Sequence, residues 1–274
     1  MNSAPEILER IQKALESAQL VLSRFTAGAI DAQYKAGTDP VTAADKAVDA
    51  ILRKELLLDG EGWLSEESAD DLSRLRHTRV WVVDPLDGTR EFVAGIPEFC
   101  VSIAMVEGGR ATAGGISNPA TGEIFLGSLQ TGVTYNGIPV RVSQRTRLEG
   151  ALVLASRSEV KRGEWKVFEN APFKFAPMGS VAYKLARVAA GLADLTFTLT
   201  PKHEWDVAAG AALVESGGGF AHTLEGSPFR ANSQQPLISG FIAGAPGLRE
   251  QLVFTLGNHL QLASPRAIRH QQIP

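Results

Sequence analysis

The sequence predicts an α+β protein in which helices and sheets stack in layers, in two halves that meet near residue 147. Three observations lead there. Segments with apolar residues at helical spacing alternate with short apolar runs bounded by glycine-rich turns. The 274 residues suffice for one large domain or two small ones, and a 44% hydrophobic share supplies a sizeable core. The pattern changes character between Ser143 and Gly150. The expected division is 1–147, 148–262 and a polar tail over 263–274.

Ile7, Ile11, Leu15, Ala18, Leu22 and Phe25 recur at helical spacing, which predicts a helix over 5–26. Thr42 is a candidate cap for a second helix with Val48, Ile51, Leu52 and Leu56 facing inward. Short strands follow at 62–65, 80–83, 100–106, 113–118 and 123–128, and Asn136-Gly137 signals a hairpin turn. In the second half, 151–155 reads as a strand. Ser180 opens a helix that carries Val181, Leu185, Val188 and Leu192 inward. A strand over 194–200, a helix over 205–216 stopped by three glycines, a strand over 238–243 and a helix over 247–256 complete the chain.

Composition excludes several functions. The net charge is −3 and no long basic run occurs, which argues against a nucleic-acid polymer as partner. No apolar run approaches the ~20 residues that span a bilayer, and the N-terminus has no signal-peptide pattern. The expected location is the cytoplasm, with no membrane partner. Cys100 is the only cysteine, so no internal disulfide forms, and it reads as a small buried apolar residue.

The chemistry concentrates in acids. Asp84-Pro85-Leu86-Asp87-Gly88-Thr89 follows the apolar run 80–83. Pro85 pushes Asp84 out of helical geometry and Gly88 permits a sharp turn, so the strand ends in a corner able to aim two carboxylates at one point. Hard oxygens suit Mg²⁺, and the N–H groups of Gly88 and Thr89 can receive a phosphate. Glu66 follows another strand, and Asp206 opens a helix of small residues able to approach neighbouring backbone closely. Each acid also has a plain reading: a turn for 84–87, a solvated face for Glu66, an N-cap for Asp206. Thr42 and Asp45 have capping-box spacing; the alternative is that Asp45 activates a group near Thr89. Lys35 is a solvated cation or an anion contact, and the loop 37–40 is a candidate lid by position.

Taken together, Asp39-Pro40-Val41-Thr42-Ala43-Ala44-Asp45, Ser65-Glu66-Glu67-Ser68, Asp84 to Thr89, Gly179-Ser180, Trp205-Asp206-Val207-Ala208-Ala209-Gly210 and Gly217 to Gly219 resemble the inositol-monophosphatase superfamily. The resemblance runs from about Lys35 to Gly244. It implies an αβαβα sandwich and Mg²⁺-dependent hydrolysis of a small phosphorylated metabolite, with two or three ions and inhibition by Li⁺. It implies Glu66, Asp84, Asp87, Asp206 and the Leu86 carbonyl as metal ligands. Asp45 and Thr89, with Glu66, would position and activate the attacking water. Gly88 and Thr89 would hold the phosphate, and Asp87, Ser180, Lys202 and Asp206 would contact the substrate. A homodimer is compatible with the family.

The substrate divides the family. Leu199 stands seven residues before Asp206, where inositol monophosphatases usually carry a glutamate for the ring hydroxyls. The stretch Lys202-His203-Glu204-Trp205 resembles instead the bisphosphate-nucleotidase (CysQ-like) branch, which hydrolyses adenosine 3′,5′-bisphosphate. Lys202, His203, Arg157 and Lys161 are then candidates for a second phosphate. Alternatives are inositol 1-phosphate, fructose 1,6-bisphosphate, histidinol phosphate, or a non-catalytic binding protein of the same fold. Ser65, in place of a glycine common in the family, has no evident effect at this level.

Overall fold

The computed structural model describes residues 3–34 and 40–262; Lys35, the loop over 37–39 and the tail over 263–274 lie outside the described residues. The chain opens with α1 (Ala4–Leu22), whose N-terminus is closed by a capping box between Ser3 and Glu6. It is shorter than the apolar spacing predicts: Ser23 caps it, and Phe25 lies past its end. β1 (Ala32–Tyr34) and β2 (Pro40–Thr42) form a two-stranded antiparallel ribbon. Thr42 then caps α2 (Ala43–Leu56), which buries Val48, Leu52 and Leu56.

β3 (Gly62–Ser65), β4 (Arg79–Asp87), α3 (Thr89–Ala94), β5 (Cys100–Glu107), β6 (Arg110–Asn118), β7 (Glu123–Ser128), β8 (Gly132–Tyr135) and β9 (Ile138–Val140) follow. The strands make one seven-stranded sheet in the order β3-β4-β5-β6-β7-β8-β9. Only its β3–β4 pair is parallel. The β8–β9 hairpin turns at Asn136 and Gly137, both with positive φ (48° and 78°), as the Asn-Gly pair predicts.

The second half contributes β10 (Leu152–Ser156), α4 (Arg157–Lys161), β11 (Lys174–Met178), α5 (Val181–Ala189), β12 (Leu195–Thr198), β13 (Lys202–His203), α6 (Glu204–Ser216), β14 (Phe220–Thr223), β15 (Leu237–Ile238), β16 (Phe241–Gly244) and α7 (Arg249–Leu262). A five-stranded mixed sheet runs β11-β10-β12-β16-β14. The single strand expected over 238–243 is two: β15 pairs with β13, whereas β16 lies between β12 and β14. The chain changes sheets at Ser239-Gly240, where an added Cβ on Gly240 would meet the Thr198 carbonyl at 2.8 Å. Leu192 lies beyond α5 and is exposed, so it is not part of that helix's buried face.

These elements stack as five layers: α1 and α2, the large sheet, α5 and α6, the small sheet, then α4 and α7. This is the αβαβα sandwich that the sequence resemblance implies. One apolar cluster lies between the α1/α2 layer and the large sheet. A second surrounds α5 and α6 and takes side chains from both halves of the chain. The third, built on Trp165, Phe168 and Phe197, lies on the outer face of the small sheet. Small residues set the spacing of the middle layer. An added Cβ on Gly114 of β6 would come within 2.5 Å of the Ala209 carbonyl, and one on Gly210 within 2.3 Å of Leu185. The small residues after Asp206 therefore bring α6 directly onto the sheet backbone.

Candidate active site

A cleft of about 320 Å³ opens where the ends of β3, β4, α5 and α6 converge. Glu66, Asp84, Leu86, Asp87, Gly88, Thr89, Ser180, Lys202 and Asp206 all line it. Thus the predicted residues from four chain segments meet in one hollow. Asp45 sits behind its wall, 2% exposed.

The Asp84–Asp87 corner comes from a slip in strand pairing. Asp84 pairs with Ser102 and Asp87 with Cys100, and the register shifts between them. The extra chain at Pro85-Leu86 forms a bulge, a device that re-aims side chains at a strand end. β4 therefore runs through the corner rather than stopping before it. Gly88 follows with φ 94°, and a Cβ there would lie 2.8 Å from the Glu98 carbonyl, so only glycine fits the turn.

One carboxylate oxygen each from Glu66, Asp84 and Asp206 lies within 4.8 Å of the others. Burial pushes Asp84 well above the usual carboxylate range, and the charges of Glu66, Asp87 and Asp206 push it further. Asp206 is raised in the same way, by burial and then by Asp87 and Glu66. Burial also raises Asp87, against the hydrogen bonds it accepts on Oδ2 from the Ser180 hydroxyl (2.7 Å) and the Ala182 N–H (2.6 Å). Acids this close cannot all stay ionised without a cation between them. An all-oxygen donor set of this kind fits a hard divalent ion such as Mg²⁺.

Each acid is anchored. The Leu86 N–H donates to Asp84 Oδ1 (3.0 Å). Asp206 occupies the third helical position of α6 rather than the cap, and its Oδ2 accepts the His203 N–H (3.0 Å). Behind it, buried Glu204 accepts N–H bonds from Asn232 and Ser233, and Arg74 joins Asn232 to Asp70. Ser65, without evident effect in sequence, donates to Asp49 Oδ1 of α2 (2.5 Å), while Ser68 binds the other oxygen (2.7 Å). The chain on both sides of Glu66 is thereby tied to α2.

Asp45 closes the helix cap and also touches Thr89. Its Oδ2 accepts the Thr42 N–H (2.8 Å) and hydroxyl (2.6 Å), closing the helix cap. Its Oδ1 accepts the Thr89 hydroxyl at 2.9 Å. The Leu86 carbonyl is the other acceptor within 2.9 Å of that hydroxyl, whose single proton can satisfy only one of them at a time.

At the other end of the cleft the expectations divide. Lys202 lines the wall, its ammonium on the Thr200 hydroxyl (2.9 Å). His203 stacks on Trp205 with ring centroids 4.3 Å apart. Arg157 also lines the cleft, but its guanidinium forks onto Glu98. Lys161, exposed at the end of α4, does not line the cleft. Leu199 does not line the cleft either and packs against the Trp165 cluster. Sequence reasoning missed Lys184 and Glu91, both on the cleft wall. Burial lowers the Lys184 ammonium from its ordinary range, against the charge of Asp87, and burial raises Glu91. Lys184 was detectable: with Val181, Leu185 and Val188 it completes the i, i+3, i+4, i+7 face that the helix turns inward.

No helix among the described residues is long and apolar enough to cross a membrane. The sequence profile of the inositol monophosphatase family matches residues 5–259. Inositol monophosphatase 3 of Solanum lycopersicum is 34% identical over 210 residues, 72% of this chain and 78% of that protein. The Nus factor SuhB of Escherichia coli (strain K12) is 30% identical over 270 residues, 93% of this chain and 97% of its own. Among solved structures, CysQ from Bacteroides thetaiotaomicron, a bacterial member of the same family, superimposes with a TM-score of 0.74 at 26% identity, covering 87% of this chain and 96% of that one. The fold is also that of Staphylococcal inositol monophosphatase-1, solved as a LiCl-soaked inhibitory complex, with a TM-score of 0.81 at 19% identity. A match spanning nearly the whole chain, joined to the same fold and a convergent carboxylate cluster, makes this protein a member of the inositol monophosphatase family and a metal-dependent phosphoric monoester hydrolase.

Proposed function

We propose that the enzyme hydrolyses a small phosphorylated metabolite that carries a second anionic group, with adenosine 3′,5′-bisphosphate as the leading substrate. The observation that carries this reading is the cationic, inositol-unfriendly end of the cleft. Lys202 and the stacked His203–Trp205 pair line it, while Leu199, at the position of the usual ring-binding glutamate, packs into the apolar cluster. A site without a partner for ring hydroxyls gives up selectivity for a polyol.

In this reading Glu66, Asp84, Asp87, Asp206 and the Leu86 carbonyl hold Mg²⁺, in two or three ions. Bound there, the metal neutralises phosphate oxygens, acidifies water and stabilises the leaving oxygen. The protein's own residues do the positioning. Thr89 gives its proton to Asp45 in a hydrogen bond, which leaves the Thr89 oxygen to accept one from the attacking water. The Gly88 and Thr89 N–H groups face the phosphate. Water adds to phosphorus, the ester P–O bond breaks, and the departing alkoxide takes up the proton that the water gives up, leaving the alcohol and inorganic phosphate.

A second reading, hydrolysis of an inositol monophosphate, is favoured by the tomato relative's name. Initial rates with Mg²⁺ on adenosine 3′,5′-bisphosphate, inositol 1-phosphate and fructose 1,6-bisphosphate decide between them. The nucleotide should give the highest kcat/KM; a clear inositol preference refutes the proposal.

A further inference from the structure

The two halves of the chain are tied together beside the cleft by Glu98, an acid that neither holds metal nor touches phosphate in the proposed mechanism. It lies in the loop between α3 and β5, its side chain 19% exposed. Its backbone carbonyl packs against Gly88, where an added Cβ would come within 2.8 Å. Its side chain crosses to the second half. The Arg157 guanidinium at the start of α4 donates to both Glu98 oxygens, through Nη2 (2.6 Å to each) and Nε (3.1 Å to Oε2). The N–H of buried Gly179 donates to the same Oε2 at 2.6 Å. A buried N–H needs an acceptor, and here a carboxylate supplies it in place of a strand or helix partner.

The residue after Gly179 carries backbone strain. Ser180 has φ 53° and ψ 121°, outside the left-handed helical well that a non-glycine residue can occupy at positive φ. Such conformations persist only where their surroundings hold them, and they concentrate at functional sites. Glycine would adopt this backbone freely but would lack the hydroxyl. That hydroxyl donates to Asp87 Oδ2 (2.7 Å), accepts the Tyr183 N–H (3.0 Å) as the cap of α5, and stands 3.3 Å from the Cys100 thiol. The Ala182 N–H, from the first turn of α5, meets the same Asp87 oxygen at 2.6 Å. Both bonds fall on Oδ2, which leaves Oδ1 for a cation.

We propose that Glu98 is a positioning residue for the metal site: by holding the Gly179 N–H it fixes Ser180 and the start of α5, and these in turn hold the Asp87 carboxylate in place as a metal ligand. Arg157 orients Glu98 for that task. The contacts run Arg157–Glu98–Gly179–Ser180–Asp87 and join the two halves of the chain across the cleft. The inference rests on the reading of Asp87 as a metal ligand and adds the support that keeps it there.

The test is Mn²⁺ titrated into the full-length enzyme without substrate, with free ion followed by electron paramagnetic resonance. Glu98→Ala should weaken the apparent Mn²⁺ affinity by about tenfold, the low end for a residue that acts through a ligand's partner. Glu98→Gln, whose amide oxygen can still accept the Gly179 N–H, should lose no more than about twofold. Ser180→Ala should match Glu98→Ala, and the double variant should bind within about twofold of the weaker single, because both act along one line of contacts. If Glu98→Ala fails to fold, Glu98→Met, which keeps the chain length without the acceptor, takes its place. Unchanged affinity in Glu98→Ala overturns the proposal, as does equal loss in Glu98→Gln or a double variant in which the two losses multiply. Asp87→Asn separates the two failures. Unchanged Mn²⁺ affinity in that variant sinks the ligand reading and the support with it. A weakened Asp87→Asn beside an unchanged Glu98→Ala sinks the support alone.

Discussion

Replacing Asp84 by asparagine should make the metal-free enzyme more stable and the catalyst nearly inert. The reasoning starts from the 4.8 Å limit on the distances among the Glu66, Asp84 and Asp206 oxygens. At an effective dielectric of about 20, two unit charges that far apart repel by roughly 3.5 kcal/mol. Asp84 faces two such neighbours, so full ionisation would store about 7 kcal/mol or more. Partial protonation relieves most of that, and this repulsion adds to burial, the larger cause, in holding Asp84 and Asp206 above the usual carboxylate range. A recoverable gain of about 2 kcal/mol remains, and each kcal/mol moves Tm by about 2–4 °C in a chain of this size. Asparagine also keeps an acceptor for the Leu86 N–H. Thermal melting in EDTA should therefore show Asp84→Asn several degrees above wild type. Added Mg²⁺ should raise the wild-type Tm and leave the variant nearly unmoved, with phosphate release down by about 10²-fold or more. A variant that melts lower in EDTA and still gains Tm from Mg²⁺ would refute the electrostatic reasoning.

Two further outcomes follow from the same geometry. Thr89→Ala should lower kcat by about 10²–10⁴-fold while Mg²⁺ still raises Tm, since the proposed mechanism gives the Thr89–Asp45 bond the water to position and not the metal to hold; retained kcat would refute that role. The metal-free protein should lose stability as pH rises from the ordinary carboxylate range through the raised values of Asp84 and Asp206, because the folded state binds the extra protons across that window. Melting in EDTA from pH 5 to 8, at steps of about one unit, checks the sign; a Tm that climbs with pH would contradict it.

The site was legible in sequence because its acids sit beside backbone signals. Pro85 and Gly88 fixed the corner, Thr42 fixed the start of α2, and the small residues after Asp206 fixed how close α6 lies to the sheet. Long-range partners were not legible. The Ser65–Asp49 bond spans 16 residues and the Lys202–Thr200–Glu159 relay joins α4 to β13, so neither leaves a local pattern. The split of 238–243 into β15 and β16 arises from pairing with different sheets, which a run of apolar residues does not encode. Lys184 shows the reverse case, a readable inward position passed over because its side chain is charged.

The most direct measurement is a crystal structure with Mn²⁺ in place of Mg²⁺, read by anomalous scattering. Strong peaks should lie at bonding distance, about 2.1 Å for an ion of magnesium's size, from oxygens of Glu66, Asp84, Asp87 and Asp206. Peaks confined to other parts of the surface, with those four carboxylates unliganded in an active enzyme, would contradict the convergence on which the chemistry depends.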